Sequence, residues 1–124
     1  MFTDVMYRKW ETEARAMVDT LAGALETARE MTGRGPHAMR STGDQLRAAS
    51  HHALRWLPDH RSPMADLDDL LVKTAHSYAS LGQLLEREAS SPKGPRWSAI
   101  DREMTGLYRA LTETVAVMDG ESAR

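Results

Sequence analysis

The stretch RAASHHALRWLPDHR, residues 47–61, carries His51, His52 and His60 beside Arg47, Arg55 and Arg61. Imidazoles at this density raise metal chemistry first. Side chains on one helix converge on an ion only at i, i+3 or i+4 spacing. A carboxylate-bridged di-iron bundle uses Glu-x-x-His. No histidine in this chain has a glutamate three residues before it, and no two histidines stand four apart. His51 and His52 diverge by about 100° on a helix. There is also no cysteine to supply a thiolate. The expectation is therefore no metal site and no cofactor.

Arg-x4-His occurs twice, as Arg47–His52 and Arg55–His60. This pattern resembles the Arg-x4–6-His motif of the all-helical HEPN ribonucleases, over those few residues only. The first copy lies within one helix, where its two residues point about 140° apart. The second crosses Pro58. The resemblance thus implies Arg55 and His60 as the catalytic pair, usually at a dimer interface. Residues 73–84, KTAHSYASLGQL, resemble histidine phosphotransfer domains, four-helix bundles of this size with one exposed histidine followed by Lys and Gly. His76 would be that histidine. Ala79 and Ser80 stand where the lysine and glycine belong, and only Gly82 and the small residues echo the motif. An ordinary surface histidine is the expectation at His76.

A third reading is a binding surface. With Leu46, Ala49, Ala53 and Leu57 turned inward, Arg40, Arg47, His51 and Arg55 share one outer stripe, with Asp44 among them. Residues 34–61 add Arg34 and Arg61, against only Asp44 and Asp59. The next helical segment carries Asp66, Asp68, Asp69, Glu86 and Glu88 against Lys73 and Arg87. Neighbouring helices of opposite sign can compensate across a solvated groove, where such pairs contribute about 0–1 kcal/mol. The alternative is a basic strip that docks an acidic protein segment or a phosphate backbone. The strip is narrow and the net charge is −2, which favours a protein partner over nucleic acid. Neither a recognition-helix motif nor an aromatic stacking platform is present.

The elements that position these residues are helical throughout. Trp10, Ala14, Met17, Leu21, Ala24, Ala28 and Met31 follow a 4-3-4-3 spacing that keeps one apolar seam on one face. Leu67, Leu71, Thr74, Tyr78, Leu81 and Leu85 do the same, as do Trp97, Ile100, Met104, Leu107, Leu111, Val115 and Met118. The second segment is weaker: Met39, Leu46, Ala49, Ala53 and Leu57 form a narrow stripe that Gly43 interrupts. It starts either near Pro36 or at a Ser41/Asp44 capping box. Gly33, Pro58 and Gly120 read as stops. Ser62-Pro63 and Ser98/Asp101 read as starts.

The expected helices span about 3–32, 37–57, 63–90 and 96–119. Their short connections predict a single-domain, all-α, antiparallel up-down-up-down four-helix bundle over residues 1–120, with a tail at 121–124. Phe2, Val5 and Met6 fall where the first helix would overhang. Phe2, Met6, Trp10, Trp56 and Met64 gather at one end, near Val115 and Met118, as core filler, an apolar interface or a small apolar-ligand pocket. No run approaches the roughly 20 apolar residues that span a bilayer. The first residues lack a basic start followed by an apolar run, so no signal peptide and a cytoplasmic location are expected.

No nucleophile motif, glycine-rich phosphate loop or paired carboxylates mark an enzyme. The expectation is a non-enzymatic interaction protein that binds a protein partner, or itself as a homodimer. It would use the basic face of the second helix and the apolar overhang of the first.

Overall fold

The computed structural model describes residues 4–59 and 65–122. Among them are four α-helices and two short 3-10 turns, with no strand: α1 (Asp4–Met31), α2 (Pro36–Trp56), α3 (Ala65–Ala89) and α4 (Trp97–Ser122). The all-α class and the number of helices agree with the apolar periodicity. The expected Ser62-Pro63 start, His60, Met64 and Phe2 lie outside the described residues.

α2 opens near Pro36, one of the two starts the sequence offers, while several other helix ends follow different residues from those expected. α1 stops at Met31, and a 3-10 turn, Thr32–Arg34, carries the chain to Gly35. Gly35, not Gly33, is the conformational break. Its φ of 116° lies where a side chain is strained. Pro36 then opens α2 at its first position, where a missing N–H costs nothing. Ser41 consequently lies inside α2. α2 ends before Pro58, as read, but α4 runs through Gly120 to Ser122. Ser98 lies inside the first turn of α4 rather than capping it.

The α3–α4 connection is instead fastened by Glu88. This residue is only 5% exposed. One carboxylate oxygen accepts from the Arg96 backbone N–H at 3.0 Å and from Arg96 Nε at 2.6 Å. These bonds hold the Glu88 carboxyl below its ordinary pKa, against the opposing effect of desolvation. Gly94, at φ 86°, supplies the bend between them.

One core joins all four helices. α1 packs on α2, α2 on α3, α3 on α4, and α4 on α1, with the α2–α3 contact the most extensive. Most seam residues are buried as expected, but Val18 and Leu25 are buried too while Ala24 and Met31 are only half-buried. An α-helix drifts about 20° per heptad against a strict 3.5-residue repeat, which rotates these extra positions inward. Trp97 leaves its expected seam and is 44% exposed. Buried Thr74 and Thr114 bond carbonyls one turn back, Leu70 O and Ala110 O, so their burial leaves no hydroxyl unsatisfied. Across the core, the Tyr78 hydroxyl donates to Leu21 O at 2.5 Å. Desolvation raises the Tyr78 pKa well above the ordinary tyrosine value.

The interruption at Gly43 is where α2 meets α3. A Cβ on Gly43 would stand 2.8 Å from Gly82 O, and one on Gly82 would stand 2.7 Å from Gly43 O. Each backbone occupies the space the other's side chain would need. Gly43→Ala or Gly82→Ala should therefore force the helices apart and destabilise by about 1–3 kcal/mol. Gly23→Ala and Gly106→Ala, which meet nothing within 4 Å, should be neutral or stabilising by up to about 1 kcal/mol. Urea denaturation of the four variants checks this contrast.

A second expectation concerns acid. The folded-state pKa of Glu88 is lowered, so its contribution is present above the unfolded-state pKa and is lost as pH falls through the folded one. Thermal melts should show Glu88→Gln less stable than wild type at neutral pH. The gap should shrink as pH drops through and below the carboxylate range.

Candidate functional site

The α2 outer face forms because the buried residues of this helix occupy the opposite side. Met39, Thr42, Gly43, Leu46, Ser50 and Ala53 are buried, while Ala49 is only half-buried. The inward stripe is thus shifted slightly from the expected one, toward the glycine that touches α3. Arg40, His51 and Arg55 are exposed on the far side. From Arg40 to Arg55 the row extends about 22 Å, at 1.5 Å per residue.

Arg47 lies on the edge of that row nearest α3, and the structure separates it from the others. Its guanidinium donates to Glu86 Oε2 at 2.5 Å and to the Asp44 carboxylate. The Asp44 hydrogen bond is the largest influence raising the Arg47 pKa above its ordinary value. This is the charge compensation between α2 and α3 considered from the sequence, confined to one arginine. Among the described residues, Arg40, His51 and Arg55 form no ion pair. Among the described residues, α2 is also the only helix with an excess of basic residues: Arg40, Arg47 and Arg55 against Asp44.

The other candidates are dispersed. Arg55 is exposed, but His60 lies outside the described residues, so the ribonuclease-like pair is half described. In the other Arg-x4-His copy, Arg47 is committed to two carboxylates. His76 is exposed, as its position opposite the α3 seam implies. Gly82, the echo of the phosphotransfer motif, is consumed by the contact with Gly43. Among the described residues no group of three or more metal-ligating side chains occurs, and no helix is long and apolar enough to cross a membrane.

The apolar set divides by burial. Trp10 is 5% exposed and sits in the core, 5.8 Å between ring centroids from Tyr7. Trp56 is half-buried against the same core. Met6 and Val5 are 51% and 77% exposed. Phe2 and Met64 lie outside the described residues.

Two features were missed in the sequence. Between α1 and α4, Tyr108 donates to Glu26 Oε1 at 2.5 Å, and Arg29 lies 5.6 Å from the Tyr108 ring centroid. Between α3 and α4 runs an open groove lined by Asp69, Leu70, Lys73, Glu113 and Val117. It continues along Thr74, Ser77, Gly106, Arg109 and Ala110. The signal available for the groove was the i, i+4 pairing of Glu113 with Val117 on the side of α4 away from its core seam. Comparison with known protein families, curated proteins and solved structures gives no match.

Proposed function

We propose that this chain is a non-enzymatic helical-bundle interaction protein whose α2 outer face docks an acidic segment of a protein partner. The observation that carries the reading is the row Arg40, His51 and Arg55: exposed, on one helix face, and without an ion pair among the described residues. An acidic segment laid along this row would meet charges spaced by about 22 Å of rigid helix. Such complementarity acts mainly on the rate and specificity of encounter, so binding should weaken as salt is added. Arg47, held by Asp44 and Glu86, contributes to the frame more than to the partner.

The proposal includes an up-down-up-down arrangement of the four helices. Two contacts between α1 and α4 support it: Arg15 reaches Asp119 at 2.6 Å, while Glu26 meets Tyr108. Later positions on α1 thus pair with earlier ones on α4, as antiparallel neighbours do. The apolar first turns of α1 are proposed as a second interaction surface. A reducing, cytoplasmic setting suits a chain without cysteine.

The test is fluorescence anisotropy with a labelled Glu/Asp-rich peptide. Wild type should bind it with an affinity that falls with salt. Arg40→Glu with Arg55→Glu should weaken binding at least tenfold at an unchanged melting temperature. Arg47→Ala should change it less than threefold. Unchanged affinity in the double variant, or tighter binding of an RNA of equal charge, would contradict the reading.

A further inference from the structure

Val5 and Met6, the two most exposed large apolar side chains among the described residues, begin α1. Val5 lies about 140° around the helix from buried Trp10, so it faces away from the core. Arg8 and Lys9 stand three and four residues after Val5, on its face. Both are exposed and form no ion pair among the described residues. The first two turns of α1 therefore present apolar side chains flanked by two open cations.

The α3–α4 groove has the complementary chemistry. Leu70 and Val117 give it apolar walls, and Val117 is itself among the exposed large apolar residues. Asp69 and Glu113 line the same stretch, exposed and without an ion pair among the described residues. Lys73 also lines it and Arg109 lines its continuation, so the excess of carboxylates is confined to the end at Asp69, Glu113 and Val117. Further along, Gly106 has open space around it, so the groove admits bulk there.

We infer that the chain pairs with a second copy of itself, the Val5/Met6/Lys9 face of each α1 seating in the α3–α4 groove of the other copy at Asp69, Glu113 and Val117. The charge match selects this occupant: open cations beside exposed apolar residues meet open carboxylates beside exposed apolar residues. A single two-turn contact is small against the roughly 1,200 Å² of a stable interface. A two-fold axis uses every contact twice, because each copy offers both the overhang and the groove. The pairing should be reversible and weakened by salt. It rests on the interaction reading above but occupies different faces, so the two fail separately: acidic-peptide binding depends on Arg40 and Arg55, self-association on Lys9 and Glu113.

The experiment is sedimentation equilibrium of the full chain at low salt, with circular dichroism to confirm folding. Wild type should show a concentration-dependent dimer. Lys9→Glu alone and Glu113→Lys alone should each raise the dimer dissociation constant at least tenfold, because like charges then face one another at both contacts. Mixing the two variants should restore dimer, since both contacts in the mixed pair are again of opposite charge. Val5→Asp should also dissociate it, and no partner variant should rescue that loss. A wild-type chain that stays monomeric to high concentration, a dimer indifferent to Lys9→Glu, or a mixture that stays monomeric would each overturn the proposal.

Discussion

The close approach of α2 and α3 at Gly43 and Gly82 governs the rest of the molecule. Either glycine's Cβ would stand under 3 Å from a carbonyl oxygen of the other's helix, so neither position accepts a side chain without displacement. Helix packing more usually sets axes 8–10 Å apart through interlocking side chains. Here backbone meets backbone, and the consequences spread outward. Arg47, one turn beyond Gly43, is carried within reach of Glu86, one turn beyond Gly82. The remaining cations of α2 are turned away from α3. The crossing thus decides both which arginine is neutralised and which ones stay open.

The other helix pairs are joined by different means. α1 and α4 meet through polar bridges at their margins, Arg15 with Asp119 and Tyr108 with Glu26, as well as through apolar side chains. Exposed pairs of this type contribute little each. Burial of Leu21, Leu25, Leu107 and Leu111 supplies the greater part, at about 25 cal/mol per Å² of apolar surface removed from water. Tyr78 ties α3 to α1 through one buried hydrogen bond. Glu88 fixes the turn into α4. Specific positioning therefore comes from a few polar contacts placed on an apolar core.

Much of this was legible in the residues. The seams of α1, α3 and α4 follow from periodicity alone, because Leu and Met at 3-4 spacing must be buried on one face. The outer stripe of α2 was legible for the same reason, seen from its opposite side. Gly43 was not. A glycine within a helix reads as a weakness of about 1 kcal/mol relative to alanine, and its compensation lies in Gly82, thirty-nine residues away, which no local pattern connects to it. Trp97 was misplaced because periodicity does not say where the first turn of a helix leaves the core. The pairing of Arg47 was legible only as a sum of charges on two helices, since which arginine reaches which glutamate depends on the crossing. The α3–α4 groove was hidden because its walls come from two separate segments.

The central claim is that Gly43 and Gly82 share one steric gap and together set the α2–α3 contact. The most direct measurement is a double-mutant cycle with Gly43→Ala, Gly82→Ala and the double variant, read by equilibrium denaturation. If one gap is shared, the first alanine already separates the helices and the second adds little. The double variant should then be less destabilised than the sum of the singles, by about 1 kcal/mol or more. Two penalties that add within about 0.5 kcal/mol, or single variants as stable as wild type, would contradict the account.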